Sequence, residues 1–253
     1  MRPTNRFDGK VALVTGAASG MGRATAMRFA SEGASVFALD VNAQGLAESE
    51  SRVKDAGGSI QTRVVDIATR DACFEAVSTA IDAFGRLDVL VNVAGIVRFA
   101  HSPEVPEAEW NLVMAVNVSG PFYLAQAAIP HLLETGGNIV NVASNAGMMG
   151  QAYTTAYCAS KHALIGMSKS LAMEFMKQNL RVNVVAPGGT DTPMNRGIEF
   201  PEAADFKLVK KYMGMRGFGD AEDVASAIAY VASEEARMIH GAVLSVDNGM
   251  MAG

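Results

Sequence analysis

The chain has little cysteine, little histidine and no excess of positive charge. Its 253 residues include two cysteines, Cys73 and Cys158, and four histidines. Two thiols are too few for a disulfide framework and match no zinc spacing, so a small stapled secreted fold is excluded and a reducing compartment is expected. Cys158 and His162 stand at i and i+4, but a transition metal wants three or four ligands and nothing completes the set, so no metal is expected. Lys and Arg number 21 against 26 Asp and Glu, a net charge of −5. Without clustered basic residues the partner is not a nucleic acid. The opening MRPTNRFDGK lacks the apolar stretch of a signal peptide, and no uninterrupted apolar run is long enough to span a bilayer. A soluble, cytoplasmic protein without a membrane partner is the expectation. Linkers, repeats and low-complexity runs are absent too, which leaves one domain over 1–253. With 49% hydrophobic and 19% charged residues, it can bury a core that needs no staples.

What the chain does have is a series of short Val-, Ile- and Leu-rich runs at 11–15, 35–40, 61–65, 89–93, 139–143, 181–185 and 242–246. They are continuous rather than alternating, as in parallel strands covered on both faces. Helical patterns lie between them: 23–31 ends at Gly33, 44–55 at Gly57, and 71–84 starts after Thr69 and ends at Gly85. Two longer helices are expected at 107–133 and 155–177. The alternation predicts an α/β fold with a doubly wound, seven-stranded parallel sheet flanked by helices on both faces. The helix 155–177 is apolar on most sides, which predicts a second buried face against another subunit.

After the first run comes Thr15-Gly16-Ala17-Ala18-Ser19-Gly20-Met21-Gly22, leading into a helix. Glycines there let the chain turn tightly, approach a pyrophosphate and pack the helix on the sheet, while the helix N-terminus offers free N–H groups. Asp40 ends the second run, where its carboxylate can accept hydrogen bonds from both adenosine ribose hydroxyls. A 2′-phosphate would be repelled, and neither Ser19 nor Val41 offers a cation, so NAD is the expected cofactor. Asp66, after the third run, either faces the adenine amino group or caps the next helix.

Tyr157 has Lys161 four residues on and Ser144 thirteen residues before it. At i+4 the phenol and the ammonium share a helix face, and the nearby charge favours phenolate, so Tyr157 can exchange a proton near neutrality. Ser144 ends the fifth run, where strand carboxyl ends open on the ligand crevice, and its hydroxyl can orient a substrate oxygen. Tyr153 lacks such a partner, since its i+4 neighbour is Tyr157. His101, His131 and His240 have no partner at the level of sequence and are expected to be structural or at the surface.

TGAASGMG, Asp40, Asp66, Asn92-Val93-Ala94-Gly95, Asn117, Ser144, YCASK at 157–161 and Pro187-Gly188 with Thr192 together resemble a short-chain dehydrogenase/reductase over nearly the whole chain. The resemblance implies a single Rossmann-type domain assembled as a homotetramer, with an Asn117, Ser144, Tyr157, Lys161 tetrad. It implies that Asn117 distorts its helix and holds a water linking Lys161 to solvent, and that Lys161 also binds the nicotinamide ribose. Further cofactor contacts are implied for Gly16, Ser19, Gly20, Met21, Gly22, Asp40, Asp66, Ile67, Asn92, Ala94, Gly95, Tyr157, Pro187, Gly188, Thr190 and Thr192. Two departures stand out: Val93, where many members carry a second Asn, and Gly189-Thr190, often bulky and apolar in relatives.

The segment 193–218 has little strand pattern and contains Met194, Phe200, Phe206, Met213, Met215 and Phe218. It reads either as a substrate lid or as core packing under a surface helix. With Met148 and Met149 beyond Ser144, it points to an apolar substrate. The expected activity is NAD-dependent interconversion of a hydrophobic secondary alcohol and its ketone. Reduction of carrier-protein-bound 3-ketoacyl groups is the alternative, with Asp40 and the lack of an obvious basic patch against it. A catalytically silent NAD-binding sensor would need none of Ser144, Tyr157 or Lys161.

Overall fold

The computed structural model describes residues 5–252. Seven strands form one parallel sheet: β1 Val11–Thr15, β2 Ser35–Asp40, β3 Ser59–Val64, β4 Val89–Asn92, β5 Asn138–Val142, β6 Arg181–Pro187 and β7 Val243–Val246. Their order is β3-β2-β1-β4-β5-β6-β7. β1 therefore lies between β2 and β4, and the direction of winding reverses there. Loops leaving neighbouring strands at that point diverge to opposite faces, which opens a crevice at the strand carboxyl ends.

The helices are α1 Gly20–Ser31, α2 Ala43–Asp55, α3 Arg70–Phe84, α4 Glu107–Met114, α5 Gly120–Thr135, α6 Thr155–Glu174, α7 Pro193–Arg196, α8 Phe206–Val209 and α9 Ala221–Ala232. Side chains alternate across the sheet, so each strand feeds two cores. Ala12 and Val14 pack with Phe29 of α1, Leu46 of α2 and Ile228 of α9. Val11 and Leu13 pack on the opposite face with Val77 of α3, Leu124 and Leu132 of α5 and Leu171 of α6. Burial on both faces is the physical reason for the uninterrupted apolar runs in the sequence.

The expected strands all form, with ends shifted by up to two residues. α1 starts at Gly20 rather than 23, because Gly20–Gly22 belongs to the first turn of the helix as well as to the loop. α9 has no counterpart among the expected elements, although Asp220 and Asp223 form a capping box at its start. The expected helix at 107–133 divides: a π-helical turn, Ala115–Ser119, joins α4 to α5. The combined helix Glu107–Thr135 is long and apolar enough to pass a membrane-span test by length and composition. One face of it is used in the fold, with Leu124, Ala125, Ala128 and Leu132 fully buried, while Trp110, Leu112 and Phe122 stay exposed.

Candidate active site

β1 delivers the chain into the crevice at Gly16, whose φ of 69° lies in the left-handed region. A Cβ at Gly16 would sit 2.9 Å from Ala94 Cα, and one at Gly22 would sit 2.0 Å from the Gly16 carbonyl oxygen. Any side chain at either position would push the loop off β4 or α1 off the loop. Thr15 fixes the other wall: its buried hydroxyl oxygen accepts from both Val93 N and Ala94 N at 3.0 Å. Val93 thus keeps a backbone partner in place of a second Asn side chain. At the start of α1, Ser19 makes no side-chain cap bond. The first-turn N–H groups and the positive end of the helix dipole face the cleft, a ready site for a phosphate anion.

This cleft is lined by Gly16, Ser19, Gly20, Met21, Gly22, Asp40, Asp66, Ile67, Ala94, Gly95 and Thr192, eleven of the residues expected to contact a dinucleotide. Asp40 is oriented from below: Oδ2 accepts from Ala18 N at 3.0 Å and Oδ1 from Asn42 N at 2.9 Å. A carboxylate has lone pairs beyond those two bonds, so it can still accept from hydroxyls. Asp66 caps nothing by its side chain; the N-cap of α3 is Thr69, while Asp66 Oδ1 accepts from Ala68 N. Asn92 does not reach the cleft. It is buried, and its amide donates to Asn141 Oδ1 at 2.8 Å, an internal tie between β4 and β5. The narrow, glycine-lined cradle therefore fits a dinucleotide, with the α1 N-terminus where its phosphates would lie and Asp40 at one end of the cleft.

A second cleft adjoins the first, and Met21, Thr192 and Met194 form the wall common to both. Ser144 and Tyr157 line it, with Pro187, Gly188 and Thr190 at the end of β6. From 193–218 it takes Met194, Ile198, Phe200, Val209, Tyr212, Met213 and Phe218, so this segment covers the pocket. Phe206 and Met215 face outward. Met148 packs into a small core with Leu164 and Val184, and neither it nor Met149 lines the pocket, so the pair does not contribute the apolar bias read from it. At Gly189, a Cβ would lie 2.8 Å from the Phe218 ring. The lid thus supplies the apolar bulk that residue 189 lacks.

Lys161 and Asn117 lie behind Tyr157, both buried. Lys161 Nζ donates to Val142 O at 2.9 Å and stands 5.6 Å from the centre of the Tyr157 ring. A Cβ at Gly95 would fall 3.2 Å from Asn117 Oδ1 and 3.3 Å from Lys161 Nζ. Asn117 sits in the π-turn, and its side chain grips Ile96, accepting from Ile96 N at 2.8 Å and donating to Ile96 O at 2.9 Å. It also donates to Ser160 Oγ at 3.0 Å. The expected helix distortion at Asn117 is present, and the side chain is spent on pinning the loop after β4.

Electrostatics here differ from the expectation. Burial holds the Tyr157 phenol above its ordinary value; the Ser144 hydroxyl pulls it down and Cys158 pushes it up, with burial the largest effect. Burial also brings Lys161 from 10.5 down to about 8. The expected lowering of Tyr157 by the lysine is not what is found: the lowering influence on the phenol is the Ser144 hydroxyl, and burial dominates because taking either group out of water disfavours its charged form.

Several contributing residues carry no motif. Tyr153, set aside above for catalysis, has φ 68° and uses its hydroxyl oxygen to accept from Asp205 N at 2.8 Å. His101 Nε2 donates to Glu202 O at 2.9 Å, and Tyr212 OH donates to Ala152 O at 3.0 Å. These three bonds latch the lid to the body. His162 Nδ1 is 2.9 Å from the Cys158 carbonyl on its own helix. His240 bridges Val182 N and Ala172 O, a structural role. Positive φ at Tyr153 and at Ala203, between Glu202 and Asp205, marks both sides of the latch and has no sequence signature.

A family model described as Enoyl-(Acyl carrier protein) reductase matches residues 16–251. The chain is 39% identical over 247 residues to a Thermotoga maritima protein named 3-oxoacyl-(acyl-carrier-protein) reductase FabG, covering 97% of this chain and 99% of that one. Among solved structures, a short chain dehydrogenase from Burkholderia cenocepacia in complex with NADP superposes with a TM-score of 0.88 at 34% identity, over 97% of this chain and 99% of the other. Carveol dehydrogenase from Mycobacterium avium in complex with NAD gives 0.88 at 31% identity, over 98% and 99%. With a parallel seven-stranded sheet, a dinucleotide cradle after β1 and a Ser-Tyr-Lys cluster at its edge, the chain belongs to the short-chain dehydrogenase/reductase family and is an oxidoreductase of CH–OH groups.

Proposed function

We propose that this protein is an NAD-dependent dehydrogenase that interconverts a hydrophobic secondary alcohol and its ketone. The observation that carries the reading is the joined pair of clefts: Asp40 lies in one, Ser144 and Tyr157 line the other, and an apolar lid covers the second. When bound, the nicotinamide supplies the hydride acceptor or donor. Tyr157 moves the proton to or from the substrate oxygen, and Ser144 holds that oxygen in place. Lys161 and Asn117 support Tyr157 from behind. Asp40 favours NAD because a 2′-phosphate beside it meets an uncompensated negative charge. Arg23, the cation beside this loop, is engaged by the Ala18 carbonyl and by Glu48 Oε2 at 2.9 Å, which leaves it poorly placed to neutralise such a phosphate.

A second reading, reduction of 3-ketoacyl groups on a carrier, draws support from the 39% identity to the Thermotoga protein. Lys207, Lys210, Lys211 and Arg216 are also exposed on the lid, where an anionic carrier would approach. Turnover across secondary alcohols, ketones and 3-ketoacyl thioesters, with NAD(H) and NADP(H) in parallel, separates the two. Alcohol oxidation with NAD, lost in Tyr157→Phe, supports the first; activity confined to thioesters with NADPH replaces it by the second.

A homotetramer in the cytoplasm completes the proposal. Trp110, Leu112 and Phe122 on α4 and α5 are exposed large apolar residues, as is Met173 on α6. Both cysteines are free, which accords with a reducing compartment.

A further inference from the structure

The substrate pocket is lined by two unlike segments. The lid contributes apolar side chains such as Met194, Phe200 and Phe218, while the stretch from β5 to α6 contributes Ser144, Asn145, Gln151 and Tyr157. A simple alcohol needs only Ser144 and Tyr157, yet the polar lining continues past them. Asn145 is 3% exposed. Its Oδ1 accepts from Gln151 Nε2 at 3.0 Å and lies 3.1 Å from Ser144 Oγ. Its Nδ2 is directed at the Met250 thioether. A thioether sulfur can only accept, so the Asn145 amide is fixed with its oxygen towards Ser144 and Gln151.

Gln151 has two N–H donors and an oxygen with two lone pairs. One N–H is used, on Asn145, and among the described residues no protein group bonds the Gln151 Oε1. Its backbone is fixed as well, the carbonyl accepting from Thr154 Oγ1 at 3.0 Å. A half-buried amide held this way keeps a donor and an acceptor for the pocket. Filling the pocket with hydrocarbon would leave both unpaired, a cost that a second oxygen on the substrate removes. We propose that Gln151 binds such an oxygen, so that the substrate is a diol or hydroxy-ketone rather than a simple alcohol or ketone. This deepens the alcohol–ketone reading of the site and rests on it. The two contacts of Asn145 Oδ1 place Gln151 Nε2 no more than about 6 Å from Ser144 Oγ. With the reacting oxygen at Ser144 and Tyr157, an oxygen one to three carbons further along reaches Gln151. A hydroxyl there donates to Oε1 and a carbonyl accepts from the remaining N–H, while the carbon skeleton faces the lid.

The test compares cyclohexanol with cyclohexane-1,2-, 1,3- and 1,4-diol, and 2-octanol with octane-2,3-diol, on the full-length enzyme with NAD. At least one diol is expected to exceed its mono-alcohol in kcat/KM by about tenfold, beyond the factor of about two that a second reactive hydroxyl supplies by counting. Gln151→Met keeps the length of the side chain without its hydrogen bonds, and there the ratio should fall to within about twofold of unity. Simple loss of packing would instead lower both substrates together and leave the ratio as it was. Diols no better than mono-alcohols in the wild type, or a ratio that survives Gln151→Met, overturns the proposal. The wild-type comparison decides alone if the variant fails to fold. A readout independent of turnover is titration calorimetry on Tyr157→Phe saturated with NAD, where the preferred diol should bind about tenfold more tightly than its mono-alcohol. Failure of the wild type to turn over any alcohol would refute the dehydrogenase reading. The titration would then decide the inference by itself: tighter binding of a diol upholds the Gln151 subsite, and equal binding removes it.

Discussion

Lys161 is a charge-bearing group kept almost wholly out of water, with one hydrogen bond to Val142 O. A base whose folded value falls from 10.5 to about 8 binds fewer protons folded than unfolded between those values. Its contribution to stability therefore rises as pH climbs from 8 to 10.5, and below pH 8 the buried ammonium carries its full desolvation cost. Lys161→Met is expected to abolish turnover yet raise stability at pH 7 by ~1–3 kcal/mol, with the gain shrinking towards pH 10. Urea denaturation across this range is the check; a destabilised variant at pH 7 would contradict it. Tyr157, held above its ordinary value, gives a second pH signature. Alcohol oxidation needs the phenolate and should rise with pH into the alkaline range, whereas ketone reduction needs the phenol and should stay flat until the same range and then fall. At Gly95, an added methyl would reach within 3.3 Å of both Asn117 and Lys161. Gly95→Ala should lower kcat about 10- to 100-fold while far-UV circular dichroism stays unchanged.

The segment 193–218 lines the second cleft, and under the proposed function it governs access to that cleft. Two of its three latches end on its own backbone, at Glu202 O and Asp205 N. Tyr153→Phe removes one bond worth about 1 kcal/mol, which should raise KM a few-fold, leave kcat within about twofold, and speed amide exchange across 199–212. Unchanged exchange in the variant would show that the latch does not hold the lid. The split between what could and could not be read from sequence is clearest among these elements. Tyr157, Lys161 and Ser144 were legible because i+4 spacing and a strand terminus fix their geometry within one element. The strands were legible because burial on both faces writes a continuous apolar run. The π-turn around Asn117 was not, since one extra residue per turn leaves the apolar pattern of 107–133 nearly unchanged. Nor were the Tyr153 latch and the Asn145–Gln151 pair, whose partners meet only after the chain has folded. Asn92 shows the opposite case: it sits among motif residues, yet its side chain serves the sheet.

At the scale of the whole molecule, the N-terminal segment is tied to the body through Glu32. Burial pushes the Glu32 carboxyl up, but hydrogen bonds from Arg6 and Arg28 outweigh it and hold it below its ordinary value. Arg28 also donates to Ser226 on α9 at 2.8 Å, so one carboxylate links residue 6, α1 and α9. A carboxyl lowered by folding stabilises the protein above its unfolded value near 4.5, and that contribution is lost as pH falls through the folded value. Glu32→Gln leaves two arginines facing a neutral amide and should cost ~2–4 kcal/mol at pH 7, with the deficit disappearing in acid; thermal melts from pH 7 to 3 test this. Light scattering tests the assembly, with four times the chain mass expected and a single chain mass ruling it out.

The division between a rigid sheet with two cores and a lid fastened largely through main-chain atoms also bears on how such a protein can change. Since the bonds from His101 and Tyr153 end on peptide groups of the lid, the side chains of residues 199–206 can be exchanged without unfastening it. Substrate preference is thereby separated from foldability. Random mutation concentrated there should yield variants with new substrates and an undiminished yield of folded protein, which makes this stretch the natural starting point for directed evolution.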